Sequence, residues 1–402
     1  MRRLVSKQYT VPFVLVTSLF FLWGFARSIL DVLNKHFQEL LSISLTKSAL
    51  VQGMTYTGYF LMAIPAGIII TRGGYRRGIV WGLLLFGTGA LMFIPGEMWM
   101  SFEVFLCALF LIGCGLAMLE TSANPYAAEM GSRDTAPGRL NLAQSFNGLG
   151  CILGPVTVGG ILFAEGGGHV SLPYTVMGVV VLLAALVFMR LPLPAISPEP
   201  GEAGSAAARS GSSPGKVLLR LLCTRPFVAG LIALFFYEIS EIAINSLFIN
   251  YVTEEEWISR RMAPTVLSFC GLGLFMLARA GGSLVMAAVS PRKVLCVCAL
   301  GALVSSLLVC AGLGAVSHYA LLAIYAFEAV MFPTIFAMTI GEAGRDVKLG
   351  SSLLMMSPIG GAVGTLLMSG VAEHLSTSVS FAVPAAGFAV VLGYGIIKSR
   401  YE

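Results

Sequence analysis

The chain has 402 residues, of which 57% are hydrophobic and only 11% are charged, and its formal net charge is +5. Because a soluble domain carries about 25% charged residues, this composition excludes an ordinary soluble protein and predicts an integral membrane protein. The basic residues form no long block, so the net charge does not indicate nucleic-acid binding.

Twelve apolar stretches are long enough to cross a bilayer. A membrane-spanning helix needs about 20 mostly apolar residues, and open strands cannot satisfy their backbone groups in lipid. We therefore predict an all-α membrane protein with twelve transmembrane helices. The first stretch is too long for a cleavable signal peptide and is typical of a signal anchor. In chain order the stretches lie near 11–34, 48–71, 78–96, 101–128, 138–164, 173–193, 225–252, 263–289, 293–313, 317–341, 349–373 and 377–398.

The loops between these stretches alternate in basic content. If the N-terminus is cytoplasmic, nineteen of the 25 Lys and Arg residues fall on cytoplasmic segments. Only Lys35, Lys47, Arg260 and Arg261 fall on outside loops. Cytoplasmic loops of membrane proteins carry an excess of Lys and Arg. We therefore predict a multi-pass protein with both termini in the cytoplasm, and the short polar loops favour a bacterial inner membrane.

The longest polar segment divides the chain into two equal sets of helices. Residues 194–224 are rich in Pro, Gly, Ser and Ala, which predicts a flexible cytoplasmic linker. The N-terminal six-helix half is then 1–193 and the C-terminal half is 225–402. A short basic turn follows the second helix of each half, TRGGYRRG at 71–78 and SPRK at 290–293. Two matched six-helix halves are the outline of the major facilitator fold.

Seven charged residues interrupt the predicted helices. A charged side chain near the bilayer centre costs about 2.5–3.5 kcal/mol on insertion scales. Each is therefore a candidate functional residue, to be weighed against a purely structural ion pair. The seven are Arg27, Asp31, Glu120, Glu238, Glu241, Arg279 and Glu328.

Two acidic candidates lie in the N-terminal half. Arg27 and Asp31 are four residues apart on the first helix and so share a face. They form either a mutually satisfied pair or a protonatable carboxylate that a cation keeps poised. Glu120, on the fourth helix, is followed by Asn124 and Pro125, and proline tends to bend a helix. A lone carboxylate beside an amide at a bend suits a polar cavity, so we predict a functional role for Glu120.

Amide and aromatic side chains on three N-terminal helices are candidate ligand contacts. Gln144 and Asn147 are three residues apart on the fifth helix, and amides at this spacing can bond several hydroxyls of one ligand. Interhelical hydrogen bonding is the alternative. Trp23, Tyr56 and Tyr59 are candidates for stacking on a sugar ring, although such residues more often pack or lie at the membrane interface.

The remaining charged candidates lie in the C-terminal half. Glu238 and Glu241 are three residues apart, and we expect one, more readily Glu241, to face a cavity. Arg279 lies among glycines and could pair with a carboxylate or bind substrate oxygens. Glu328 precedes Pro333 on the tenth helix, and the pattern leaves open whether it is a structural partner or part of the site.

The sequence shows none of the patterns typical of a cofactor enzyme. The eight cysteines and four histidines have no metal-ligand spacing. No P-loop, Rossmann glycine pattern or nucleophile elbow stands in a credible context. We therefore predict no catalytic residue, no metal and no cofactor. An ion gradient is favoured over ATP as the energy source.

Several stretches resemble the fucose permease branch of the major facilitator superfamily, a family of sugar–proton symporters. The resemblance covers nearly the whole chain and is greatest around the first, second, fourth, fifth, tenth and eleventh helices. The stretches are FLWGFARSILDVLNKHFQ at 21–38, LVQGMTYTGYF at 50–60, LETSANP at 119–125, RLNLAQSFN at 139–147, FPTIF at 332–336 and GSSLLMM at 350–356.

The resemblance implies roles for several of these residues. It implies that Asp31 and Glu120 are the proton-coupling carboxylates, and that Gln144, Asn147 and Arg279 approach the sugar. Three residues depart from the family's pattern. They are Arg27, where small or amide residues are common, Glu241, where the fucose transporter has an amide although related members carry an acid, and Glu328.

The resulting hypothesis is proton-coupled symport of a fucose-like sugar or other hexose by alternating access. We expect the partners to be a small sugar and the bilayer, and the protein to act as a monomer. The departures leave the identity of the sugar open. Two alternatives remain: a related transporter of an anionic sugar or a drug exporter, and a nontransporting sugar sensor.

Overall fold

The computed structural model describes residues 5, 7–130, 136–163, 169–191, 214–286 and 289–397. All regular structure within these ranges is helical, and twelve of the helices are long and apolar enough to cross a membrane. Each overlaps one of the twelve predicted stretches, so the predicted fold class is confirmed. The membrane helices are α1 (Thr10–Leu40), α2 (Leu45–Ile70), α3 (Gly73–Met98), α4 (Phe102–Asn124), α5 (Leu142–Leu162), α6 (Ser171–Arg190), α7 (Arg225–Glu254), α8 (Ala263–Gly282), α9 (Pro291–Cys310), α10 (Ala315–Ala343), α11 (Ser352–His374) and α12 (Thr377–Ile397).

The first helix is longer than the sequence predicted, because its polar C-terminal turns find partners. The predicted stretch ends near residue 34, but α1 continues to Leu40. Asn34 donates a hydrogen bond to Ser246 Oγ at 2.6 Å, and Gln38 donates one to Ser48 Oγ at 3.0 Å. These contacts satisfy amides that would otherwise favour ending the helix in water.

Part of the predicted linker is helical. Residues Pro214–Cys223 form a short helix that precedes α7, so the prediction of a flexible segment is wrong there. Its sequence PGKVLLRLLC begins with Pro, which is favoured at the first helical position. Leu221 is buried and Leu218 packs on the core, which explains why the segment is ordered. Residues 194–213 of the predicted linker lie outside the described residues, and the exact limits of the two halves stay a prediction.

The basic turn between α2 and α3 contains a glycine in a conformation that other residues rarely adopt. Gly74 has φ of +77°, and it reverses the chain between two antiparallel helices. Glycine takes such positive φ values without steric cost.

Several of the basic residues on which the predicted orientation depends lie outside the described residues, so the orientation of the termini stays a prediction. They are Arg2, Arg3, Arg133, Arg209, Lys398 and Arg400.

The two halves repeat the same close helix contact. In the N-terminal half, Gly150 on α5 brings its backbone against α1, and a Cβ there would lie 2.3 Å from Phe21 O. In the C-terminal half, Gly364 on α11 approaches α7, and a Cβ there would lie 2.2 Å from Ile239 O. Small residues allow such backbone contact between membrane helices. The fifth helix therefore packs on the first helix of its own half in both bundles.

Adding one methyl group at this contact is expected to destabilise the fold. We predict that Gly150→Ala lowers the free energy of unfolding by about 1–3 kcal/mol, the usual range for overpacking. The matched control is Gly160→Ala on the same helix, where a Cβ would meet no atom within 4 Å. Thermal unfolding in detergent measures both variants, and equal melting temperatures would contradict the proposed contact.

The halves are also joined to each other at one end of the bundle. We call this the outer end, where α1 finishes; the opposite end is the inner end. Besides the Asn34–Ser246 bond between α1 and α7, Asn250 donates to Gln38 Oε1 at 2.8 Å. Further contacts continue outward along the same seam. Arg260, which precedes α8, pairs with Glu39 at 2.5 Å.

A second connection at the outer end links α2 to α11. The backbone N–H of Thr46 donates to Glu373 Oε2 at 2.9 Å.

Toward the inner end, Gln144 and Arg279 are exposed although both lie within membrane helices. Polar side chains in such helices usually face the bundle interior or a water-filled cavity. The halves are therefore bonded to each other at the outer end, and we call the region around these exposed side chains, toward the inner end, the polar space.

Candidate functional site

Arg27 connects the two halves at the inner edge of the α1–α7 seam. Its Nη2 lies 3.7 Å from Glu241 Oε2 and 4.0 Å from Glu238 Oε2, both on α7. Its guanidinium also lies 6.0 Å from the ring centroid of Tyr56 on α2, within the range of a cation–π contact. The sequence analysis expected only one of Glu238 and Glu241 to face a cavity. In the structure both carboxylates lie beside Arg27.

Asp31 has a different partner from the one that its spacing indicated. Gln52 Nε2 on α2 donates a hydrogen bond to Asp31 Oδ1 at 3.0 Å. Among the described residues, Arg27 and Asp31 form no ion pair within 4 Å, so the interpretation as a mutually satisfied pair is wrong. The physical reason is competition, because two carboxylates of α7 draw the guanidinium toward the other half. Asp31 remains a buried carboxyl group on a neutral donor.

Glu120 lies beside two tyrosines of α2. Tyr59 Oη donates a hydrogen bond to Glu120 Oε1 at 3.0 Å. The rings of Tyr59 and Tyr56 are neighbours, with centroids 6.0 Å apart. Because the ring of Tyr56 in turn lies 6.0 Å from the guanidinium of Arg27, a series of side-chain contacts connects Glu120 on α4 with the α7 carboxylates. The tyrosines thus contact the charged residues, which their sequence pattern did not predict.

The two amides of α5 point to different surroundings. Gln144 is exposed and donates to Asn124 Oδ1 at 3.4 Å. Asn147 donates to the backbone carbonyl of Phe20 on α1 at 3.1 Å, beside the close approach of Gly24. Asn147 therefore makes the interhelical hydrogen bond that was the alternative interpretation. Gln144 retains a surface that faces the polar space.

Trp23 is buried among aromatic side chains. Its ring centroid lies 4.1 Å from that of Phe20 on the same helix, and little of its surface is accessible. Packing is the role that these contacts support. A contact between Trp23 and a sugar stays a prediction.

A proline in α10 explains the position of Arg279. Pro333 has no N–H to bond the carbonyl of Ala329, four residues earlier, and α10 is interrupted between Glu328 and Met331. Arg279 Nε donates to that free carbonyl at 2.9 Å. Its guanidinium also lies 4.5 Å from the ring centroid of Phe275. Both contacts fix the side chain, and within the described ranges its terminal nitrogens have no hydrogen-bond partner.

Glu328 ends the first segment of α10 and is fully buried. Neither carboxylate oxygen has a hydrogen-bond partner among the described residues. A buried polar group without a partner is costly, so this position calls for an explanation beyond packing. The charged side chains that act on it electrostatically are those of Glu241 and Arg279.

A separate groove of about 330 Å³ lies between α3 and α6, away from these charged residues. Arg76 closes part of it by donating from Nε to the carbonyl of Phe188 at 3.0 Å. A cation at the C-terminus of α6 is favoured by the helix dipole. The role of Arg76 here is to cap the C-terminus of α6. None of the candidate site residues lines this groove.

Comparison with known proteins places the chain in a family. The model of the Major Facilitator Superfamily matches residues 16–348. The chain belongs to this superfamily. The twelve helices and the repeated α1–α5 and α7–α11 contacts agree with its fold.

Several superfamily members resemble the chain over its whole length. The L-fucose-proton symporter of Escherichia coli K12 is 32% identical over 421 residues, covering 98% of this chain and 94% of the relative. The glucose/galactose transporter of Brucella abortus is 29% identical over 406 residues, covering 98% and 96%. A crystal structure of the E. coli fucose:proton symporter in the outward conformation has a TM-score of 0.72 at 31% identity, covering 98% and 99%.

Sequence analysis missed the partners of the candidate residues. Gln52 was not singled out, because it is a lone amide in its apolar stretch, whereas Gln144 was selected together with Asn147 three residues away. Asn34 and Ser246, which join the halves, were missed because their bond connects positions 212 residues apart. An isolated amide in a membrane helix is a general signal for such contacts, but it does not name the partner.

Proposed function

We propose that this protein is a secondary active transporter that moves a monosaccharide together with protons. The proposal depends mainly on two carboxyl groups between membrane helices, those of Asp31 and Glu120. Each accepts a hydrogen bond from an uncharged side chain. The support from relatives is that a chain 32% identical over nearly the full length is an L-fucose-proton symporter. Transport follows from alternating access, in which the two halves rock around a central site.

Asp31 and Glu120 are the proposed proton-coupling residues. Each accepts a hydrogen bond from an uncharged donor, Gln52 and Tyr59 respectively. An amide or phenol donor stabilises a carboxylate without neutralising it. A bound proton removes a charge that is costly inside a membrane, so the protonated, sugar-loaded protein can change conformation. Removal of the proton at the inner end then favours release.

The proposed sugar contacts lie on both sides of the central space. Gln144 and Arg279 are the principal candidates, because both are exposed inside the bundle and offer nitrogen donors to sugar hydroxyls. Asn147 and Glu241 lie at the edge of the same space. Trp23 is retained as a candidate for ring contact, and Tyr56, Asn124 and Glu328 are secondary candidates. Neither a metal nor an organic cofactor is needed for this chemistry, since the proton gradient supplies the energy.

The proposal also covers the membrane, the orientation and the oligomeric state of the protein. The short polar loops favour a bacterial inner membrane, and the distribution of basic residues favours an orientation with both termini in the cytoplasm. Since each half packs on the other around one site, a single chain suffices for transport, and we propose that the protein functions as a monomer.

The substrate can be found by ligand-dependent stabilisation. A ligand that binds the folded state raises apparent stability by mass action. We expect L-fucose, D-galactose or D-glucose to raise the melting temperature of the purified protein, and the same sugar to support counterflow in proteoliposomes. Stabilisation by drugs alone, or binding without counterflow, would contradict the proposed function.

One prediction concerns the donor to Glu120. Tyr59→Phe removes a hydrogen bond to a charged acceptor, an interaction worth about 1.5–3 kcal/mol. We therefore expect proton-driven sugar uptake to fall roughly tenfold or more. The matched control is Tyr174→Phe, because the buried Tyr174 hydroxyl has no partner among the described residues. Initial uptake rates under an imposed pH gradient measure both variants, and equal rates would remove Tyr59 from the coupling path.

A further inference from the structure

We infer that the Arg27–Glu241 ion pair is a specificity determinant that makes the central site prefer neutral sugars to charged ones. The inference rests on the proposed sugar transport and specifies its substrate class. Arg27 and Glu241 belong to opposite halves, yet their charged groups are 3.7 Å apart. Each is therefore the counter-ion of the other across the path between the halves.

The pair lies where it can meet a substrate. It is seven residues below Asn34 on α1, or about 10 Å along the helix. The Asn34–Ser246 and Gln38–Asn250 bonds close the seam outward from that point. The side chain of Arg27 is 37% exposed and that of Glu241 is 15% exposed. The ion pair thus lies inward of both of these bonds, and its partly exposed side chains face the polar space.

The surroundings hold both charges in place. Glu238 is only 2% exposed and lies 4.0 Å from the same Arg27 nitrogen, so it supplies a second, deeper carboxylate. The ring of Tyr56 lies against the guanidinium. Because these groups fix Arg27, its charge is not free to follow a ligand.

Charge compensation has a direct consequence for ligand choice. A ligand beside the pair meets a cation and an anion together, and the two fields largely cancel at a short distance. A sugar acid or an amino sugar would gain little attraction from the pair. It would still have to lose water on entering the site, which is costly for a charge without a partner. Neutral sugars avoid that cost.

Breaking the pair from either side should change selectivity in opposite directions. Arg27→Gln leaves Glu241 without its cation, so we expect protonated D-glucosamine to gain about tenfold against neutral D-galactose as a competitor. Glu241→Gln leaves Arg27 with only the deeper Glu238, so D-glucuronate should gain about fivefold or more. The double variant Arg27→Gln/Glu241→Gln should return to the neutral preference of the wild type.

The measurement is inhibition of sugar counterflow by these three compounds in proteoliposomes, with the neutral sugar from the stability screen as labelled substrate. The matched control is Arg260→Gln/Glu39→Gln, which removes the ion pair at the outer end and should leave the selectivity ratios unchanged. Unchanged ratios in both single variants would overturn the inference. So would a double variant that keeps the selectivity of either single variant.

A second readout separates this inference from the proposed function. In detergent without sugar, each single variant should lower the melting temperature, and the double variant should lower it by less than the sum of the two. Additive losses would overturn the ion pair whatever the protein transports. If the losses of melting temperature are less than additive but no sugar supports counterflow, the ion pair is confirmed and the proposed function is rejected.

Discussion

Replacing Glu120 with glutamine is expected to abolish sugar-driven proton uptake while leaving sugar exchange intact. Glutamine has nearly the same shape and can still accept the hydrogen bond that Tyr59 donates at 3.0 Å, but it cannot carry a proton between the two sides. Counterflow requires only that the loaded protein change conformation, whereas uptake against a gradient requires proton release. We expect proton uptake in the variant to fall to background.

The matched control is Glu103→Gln on the same helix. Glu103 is exposed at the outer end of α4 and accepts a hydrogen bond from Ser101, so its replacement should leave coupling unchanged. Asp31→Asn should behave like Glu120→Gln, because asparagine retains an acceptor for Gln52. The proposal would fail if both the Glu120 and Asp31 variants took up protons at the wild-type ratio.

Joining the halves at the outer end is expected to stop transport completely. The side chains of Asn34 and Ser246 are 2.6 Å apart, and this contact must separate when the site opens to the other side. In a background without the eight native cysteines, the variant Asn34→Cys/Ser246→Cys should lose sugar uptake after cross-linking with a short thiol reagent. Reduction of a cleavable cross-link should restore uptake.

A cross-link inside one half provides the comparison. A Cβ at Gly178 on α6 would lie 3.1 Å from Ala90 Cβ on α3. The variant Ala90→Cys/Gly178→Cys therefore joins two helices of the same half, which move together as the halves rock. Uptake should survive this cross-link. Transport that also survives the Asn34–Ser246 cross-link would show that the outer seam need not open.

The sequence predicted the helices well because the membrane imposes a strong local constraint. A spanning helix must be about 20 apolar residues long, and that length is visible in a single sequence. The end of α1 was placed too early, near residue 34, because its last turns are polar. Those turns remain helical since Asn34 and Gln38 bond to neighbours, a cause that local composition does not contain.

The sequence predicted which residues belong to the candidate site, but it did not predict which of them contact each other. Charges in apolar helices are conspicuous, and Arg27, Asp31 and Glu120 were selected for that reason. Helix periodicity paired Arg27 with Asp31 because they share a face. The structure instead pairs Arg27 with Glu241, 214 positions away in sequence, at 3.7 Å. Contacts between helices depend on how the halves dock, which spacing within one helix cannot indicate.

Two of the three departures from the family pattern now have a common explanation. Arg27 departs from the small or amide residues common in the family and Glu241 from the amide of the fucose transporter, and the structure makes them partners across the halves. Together they remove the net charge that either would introduce alone. Two arginines near the site therefore do not by themselves favour an anionic substrate. Glu328, the third departure, is fully buried.

Sugar-driven proton movement in proteoliposomes tests the central claim most directly. Vesicles containing the wild-type protein, without an imposed pH gradient, receive the sugar identified by the stability screen while the external pH is recorded. Proton-coupled symport predicts an immediate rise in external pH that a protonophore abolishes and that Glu120→Gln lacks. Uptake of the same sugar with no change in external pH would contradict it.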